Sequence, residues 1–118
     1  MKQALIVDPH GAVEEFANAA LVLYEQTTVG LLQDAVALAS IADYDLILIA
    51  QPDGLCEGAL WAMVERIAGL AGNATFVMVQ TEDAGAGFHA RAGEMGVTVV
   101  STPLGIGALA LINEATAG

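Results

Sequence analysis

The stretch Tyr44-Asp45-Leu46-Ile47-Leu48-Ile49-Ala50-Gln51-Pro52-Asp53-Gly54 decides the fold of this chain. Its apolar run, Leu46 to Ala50, has no polar alternation, which is typical of a strand buried on both faces at the centre of a parallel sheet. A Pro-Asp-Gly turn follows the run. In open α/β sheets the chemistry lies at the carboxyl ends of the central strands, so this turn marks the predicted functional end. The residue that stands there is Ala50, which has no reactive group.

The rest of the chain alternates between strand and helix patterns. Apolar runs predict further strands over Lys2–Val7, Leu21–Glu25, Thr75–Gln80 and Val97–Ser101. Apolar spacing and caps predict helices over Ala12–Ala20, Val29–Ile41 (with Thr27 or Thr28 as cap), Glu57–Leu70, Glu82–Met95 and Leu104–Thr116. This alternation predicts an α/β sandwich around a five-stranded parallel sheet, in the flavodoxin-like order 2-1-3-4-5. Residues 1–118 are expected to form a single domain.

The charge balance restricts the partners. Three basic residues against 14 acidic ones give a net charge of -11, which cannot build the basic stripe that nucleic-acid binding needs. Direct nucleic-acid binding is therefore not expected. The acidity indicates either a solvated surface, which we favour, or an acidic face for a basic partner. Because 56% of the residues are hydrophobic and only 14% are charged, some apolar surface is expected to serve association.

The single cysteine, Cys56, gives neither a disulfide framework nor a cysteine-based zinc site, and a reducing, cytoplasmic setting fits. The apolar segment Ala4–Val7 is too short for a signal peptide and is broken by Asp8-Pro9. No run approaches the roughly 18 apolar residues of a transmembrane helix. We therefore expect a cytoplasmic protein without membrane insertion.

Several of these segments together resemble a receiver domain. They are Ala4-Leu5-Ile6-Val7-Asp8, Tyr44 to Ile49, Pro52-Asp53-Gly54, Phe76-Val77-Met78-Val79, and Gly96 through Ser101-Thr102-Pro103-Leu104. Over essentially its whole length the chain resembles the CheY-like response-regulator receiver family. That family phosphorylates an aspartate at the end of strand three, with Mg²⁺ held by an acidic pair after strand one. A hydroxyl after strand four and a lysine after strand five bind the phosphoryl oxygens.

The resemblance implies that this chain has lost the family's chemistry. The family's site falls on Asp8 and Pro9 for the acidic pair, Ala50 for the phosphoacceptor, Gln80 (followed by Thr81) for the hydroxyl, and Thr102 for the lysine. Alanine supplies neither nucleophile nor ligand, and the missing lysine removes a stabilising charge. A metal site converges three or more ligands, and only Asp8, with Asp53 as a weak second, is placed for one. We expect a pseudo-receiver with no cofactor and no metal.

A pseudo-receiver is expected to act by protein–protein interaction in signalling or assembly, and not as an enzyme. Such domains resemble parts of circadian input proteins, of CpaE/TadZ-type pilus assembly proteins and of stand-alone adaptors. The partner, or a second copy in a homodimer, is expected on the fifth strand and the last helix. The apolar residues of that helix are Leu104, Ile106, Leu109, Leu111 and Ile112. A helix simply buried on its own sheet is the equal alternative.

The competing hypothesis is a flavodoxin-like module that binds a small ligand of nucleotide or cobalamin type. Its ligand would lie over Asp8, Ala50, Gln51, Gln80 and Thr102. Asp8-Pro9-His10-Gly11 resembles the start of the cobalamin motif Asp-x-His-x-x-Gly, but Val13 stands where that motif has glycine. A histidine in a surface loop is the favoured interpretation of His10.

Overall fold

A computed structural model describes residues 2–9, 11, 13–21, 24–50, 57–70, 74–80 and 86–101. In chain order the elements are β1 (Lys2–Val7), α1 (Glu14–Ala20), β2 (Tyr24–Val29), α2 (Leu32–Ala39), β3 (Leu46–Ala50), α3 (Glu57–Leu70), β4 (Thr75–Gln80), α4 (Ala86–Met95) and β5 (Thr98–Ser101). The predicted bounds of β1, β3, α3 and β4 are confirmed.

The five strands form one sheet in the order β2-β1-β3-β4-β5, and every neighbouring pair is parallel. This confirms the predicted order. β3 lies at the centre, and all five of its residues are buried. This burial explains its unbroken apolar sequence, because a central strand covered by helices has no solvent-facing side on which polar residues would be favoured.

Two apolar cores lie on opposite faces of the sheet, because successive side chains of a strand point to opposite faces. Ile47 and Ile49 of β3 join the core formed with α2, α3 and α4. Leu46, Leu48 and Ala50 join the core formed with α1. The sheet is therefore covered on both faces, as the α/β prediction requires.

The larger core centres on two aromatic rings. Trp61 of α3 is 4% exposed, and its ring centroid lies 5.1 Å from that of Phe88 in α4. Leu60, Val64 and Ile67 of α3 are buried in the same core. Their spacing of three and four residues puts them on one face of the helix, so α3 reads as a helix from sequence.

The second strand was predicted at Leu21–Glu25 and this is wrong, since β2 is Tyr24–Val29. Leu21 instead ends α1, and its N–H donates to the carbonyl of Ala17 at 2.9 Å. Leu21 is apolar because it is buried in the core below α1. β2 is an edge strand with a mostly polar sequence, so it lacks the apolar run that marks a central strand.

The predicted cap at Thr27 or Thr28 is wrong for the same reason, since both residues lie within β2. The helix predicted over Val29–Ile41 is the shorter α2, because Leu31 has an extended backbone (φ -129°, ψ 142°). Ile41 lies beyond its end and is 78% exposed.

Two other predicted bounds differ by one or two residues, and one is only partly described. α1 begins at Glu14 and not at Ala12. β5 begins at Thr98, because the N–H of Val97 still donates to the carbonyl of Ala92 at 2.8 Å after the turn at Gly96 (φ 72°). α4 is described from Ala86, and residues 82–85 of its prediction lie outside the described residues. The helix predicted over Leu104–Thr116 also lies outside them.

None of the helices in the described ranges has both the length and the apolar character of a membrane span.

Candidate functional site

The carboxyl ends of three adjacent strands bring Asp8, Ala50 and Gln80 to the same end of the sheet. Val7 pairs with Ile49, so the next residues, Asp8 and Ala50, are level with each other. Ala50 in turn pairs with Val79, and Gln80 follows directly. We call these three residues the carboxyl site. The resemblance to receivers predicts this juxtaposition, because the carboxyl ends of parallel strands lie at one end of a sheet.

Ala50 makes the centre of the carboxyl site apolar. It is the last residue of β3, is 3% exposed, and belongs to the core on the α1 face. A methyl group offers neither a nucleophile nor a metal ligand. Residue 50 therefore has no side-chain group that could take part in covalent chemistry at the end of β3.

Asp8 holds the loop that follows β1. Its backbone N–H donates to the carbonyl of Val29 at 2.9 Å, and its Oδ2 accepts the N–H of Val13 at 3.1 Å. Val13 is 0% exposed, so its N–H has no water partner without this bond. Gly11 lets the loop turn back, since its φ of 71° is a conformation that other residues rarely adopt. The one acid kept from the acidic pair thus has a structural task.

The other predicted positions are partly described. Pro9 is half-buried beside Asp8, and Gln80 is 5% exposed and pairs with Ser101 of β5. Every buried side-chain nitrogen or oxygen among the described residues has a hydrogen-bond partner. Thr102 lies outside the described residues, as do Gln51 and all five apolar positions of the predicted interaction face (Leu104, Ile106, Leu109, Leu111 and Ile112).

A metal site would need a convergence of ligands. Across the ranges that the structure describes, no three His, Cys, Asp or Glu side chains form a group that could hold a metal ion. Asp53, the predicted weak second ligand, is outside those ranges.

A pocket of about 260 Å³ opens beside Asp8, between β1, β2 and α1. Its lining is Ile6, Asp8, Gly11, Glu14, Ala17, Asn18, Gln26 and Thr28. Of the described residues predicted to contact a small ligand (Asp8, Ala50 and Gln80), Asp8 alone is in this lining.

Gln26 is a residue of this pocket that the sequence did not single out. Its Nε2 donates to the carbonyls of Ala17 (3.2 Å) and Leu21 (2.9 Å), and so adds a second donor to two carbonyls at the end of α1 that also accept the N–H groups of Leu21 and Tyr24. A carbonyl oxygen has two lone pairs, so it can accept both bonds. A glutamine shortly after a predicted helix was the available signal.

No protein-family model matches the chain, and no curated protein sequence does so. Solved structures match it closely in backbone. A CheY-like response regulator receiver domain from Methanospirillum hungatei is similar with a TM-score of 0.81 and 19% identity, over 99% of this chain and 94% of that one. The chain has the CheY-like receiver fold.

Two further structures with this receiver fold come from different settings. One is a CheY-like receiver domain from Methylobacillus flagellatus (TM-score 0.76, 25% identity, 98% of each chain). The other is a proposed CpaE2 pilus assembly protein from Sinorhizobium meliloti (TM-score 0.78, 18% identity, 96% of this chain and 98% of that one). The receiver fold predicted from the sequence is confirmed, and it occurs both in response regulator receiver domains and in a proposed pilus assembly protein.

Proposed function

We propose that this chain is a receiver-like domain that cannot be phosphorylated at the end of β3 and acts in signalling or assembly by binding other proteins. One observation carries the proposal: Ala50, a buried alanine, is the last residue of the central strand. A receiver that responds to phosphorylation needs a carboxylate at this position. Without this carboxylate, no phosphoryl donor can switch the domain between two conformations. Its function is then to bind other proteins in a single conformation.

The surroundings of Ala50 support the same function. The carboxylate of Asp8, which a working receiver would offer to Mg²⁺, accepts the N–H of Val13. Pro9 replaces the second acid. The likeness to a proposed CpaE2 pilus assembly protein adds a setting in which a receiver fold is part of an assembly protein. We therefore place the function of this chain in protein–protein recognition and not in phosphoryl transfer.

The test is incubation of the purified chain with acetyl phosphate and Mg²⁺, followed by intact mass spectrometry. We expect no mass gain of a phosphoryl group, while a phosphorylatable receiver in the same mixture gains one. Sedimentation velocity with and without acetyl phosphate is expected to give the same species. A phosphoryl group on the wild-type chain would contradict the proposal. An Asp8→Asn variant analysed in parallel would then show whether Asp8 is the acceptor.

A second function, small-ligand binding, is favoured by the pocket beside Asp8. Its volume of about 260 Å³ is close to the lower limit for ligand pockets, which are typically about 300 Å³ or more. The purified chain is weighed by native and by denaturing mass spectrometry. A retained small molecule appears as extra mass in the native spectrum that is absent from the denaturing one. A retained molecule that is lost in an Asn18→Leu variant would favour this function over recognition alone.

A further inference from the structure

Among the described residues, the outer side of β2 is a sheet edge with which no other strand pairs. β2 is the first strand in the sheet order and pairs only with β1 among the strands of the described residues. The carbonyl of Val29 accepts a hydrogen bond from Asp8, on the β1 side. Backbone groups of successive residues point to alternate sides of a strand. The N–H and C=O of Thr27 therefore also point toward β1, while those of Gln26 and Thr28 point outward. The N–H of Tyr24, which points away from β1, donates to Leu21 at 3.0 Å and fits this alternation.

The side chains of β2 leave this edge uncovered. Glu25 is its only charged residue, and Gln3 of β1 donates to the Glu25 carboxylate at 2.9 Å, which draws the charge away from the open side. The amide of Gln26 is drawn to the end of α1. β2 contains no lysine or proline, the residues that natural proteins use to block such edges.

We propose that the β2 edge pairs with β2 of a second copy of this chain, in antiparallel register about Thr27. A two-fold axis perpendicular to the sheet keeps both α1 faces on one side, so residues opposite each other must share a face. Centring the axis on Thr27 places Gln26 opposite Thr28 of the second copy. These are the two residues with outward backbone groups, so they exchange N–H and C=O bonds in both directions.

The same register is compatible with the charges and side chains of the strand. Thr27 lies opposite Thr27 of the second copy, and such threonine pairs are favourable across strands. Glu25 lies opposite Val29 of the second copy. The two Glu25 residues are then about 14 Å apart along the strands, from a rise of about 3.4 Å per residue, which exceeds the Debye length of about 8 Å at physiological salt. No like charges face each other.

This interface is at the opposite edge of the sheet from β5, where the partner surface was predicted together with the last helix. The proposed dimer goes beyond the proposed function. The net charge of -11 opposes any dimer of this chain at long range. We therefore expect an association that strengthens with salt, as screening removes the repulsion.

The first experiment is sedimentation equilibrium of the full chain over a concentration series at low and high NaCl. We expect a monomer–dimer equilibrium that is tighter at high salt. Thr27→Glu places two carboxylates opposite each other, so dimerisation should weaken at least about tenfold. Gln33→Glu is the matched control, because it adds the same charge at an exposed position of α2. A chain that stays monomeric throughout, or a dimer that Thr27→Glu weakens no more than Gln33→Glu, would overturn the proposal.

The second experiment fixes the register by cysteine cross-linking in a Cys56→Ser background. Opposed residues of a non-hydrogen-bonded pair have Cα atoms about 4.5 Å apart, which suits a disulfide. Thr27→Cys should therefore form a disulfide-linked dimer under mild oxidation, and Gln33→Cys should not. Equal cross-linking of both variants would refute pairing at β2. That result would leave the phosphorylation test, and with it the proposed function, unaffected.

Discussion

The two ends of the sheet each carry an aspartate that binds backbone groups, but they differ in burial. At the amino end, Asp45 is exposed, and its Oδ2 accepts the N–H of Gln3 at 2.8 Å. Its own N–H donates to Gln3 and its carbonyl accepts the N–H of Thr75, at 2.9 Å each. At the carboxyl end, Asp8 is 9% exposed and accepts the N–H of Val13, which is 0% exposed.

This difference teaches that a carboxylate at the end of a strand is not by itself a functional sign. At the amino end the aspartate joins β1, β3 and β4, and water can replace its bonds. At the carboxyl end the aspartate holds a buried amide, beside an alanine where a receiver has its acceptor. What separates the two ends energetically is burial, and burial can be tested by substitution.

The largest effect is expected for Ala50→Asp. It puts a carboxylate into a site that is 3% exposed, beside an apolar core, and should lower the free energy of unfolding by about 3 kcal/mol or more. Urea denaturation measures this, with Ala62→Asp on the exposed side of α3 as control, expected to cost under about 1 kcal/mol. Equal stability of the two variants would mean that the carboxyl end still accommodates a charge, as in a working receiver.

A medium effect is expected for Asp8→Ala, about 2 kcal/mol, because it leaves the buried N–H of Val13 without its acceptor. Asp8→Asn keeps an acceptor oxygen and should cost about 1 kcal/mol or less. Urea denaturation of both variants gives the comparison. If the alanine variant is no less stable than the asparagine variant, the hydrogen bond to Val13 does not stabilise the loop.

The smallest effect is expected for Asp45→Ala, about 1 kcal/mol or less, because Asp45 is exposed and water can bind the N–H of Gln3 in its place. Amide hydrogen exchange at Gln3 should become faster in this variant, while exchange at Val13 stays unchanged. A cost as large as that of Asp8→Ala would remove the difference between the two ends.

The sequence predicted the central sheet well, because its signals are local. β1, β3, α3 and β4 have the predicted bounds, and each is an apolar run or stripe that must be buried. It also predicted which residues reach the carboxyl site, since Asp8, Ala50 and Gln80 follow from strand ends and strand order. β2 was misplaced because Leu21 is buried as the end of a helix and the strand itself is polar. The local sequence pattern does not distinguish a buried apolar residue at the end of a helix from one in a strand.

By itself, then, the sequence determined the parallel α/β sheet, the receiver resemblance and the absence of a nucleophile at residue 50, because burial pattern and residue type are written into the chain. Only the tertiary structure decided that β2 is Tyr24–Val29, that Asp8 holds Val13, and that Gln3 turns Glu25 away from an open edge. The pairing of β2 and the Gln3–Glu25 bond join residues distant in sequence, and the Asp8–Val13 bond depends on the backbone turn at Gly11. These hydrogen bonds do not produce a periodic pattern in the sequence, as buried apolar residues of strands and helices do.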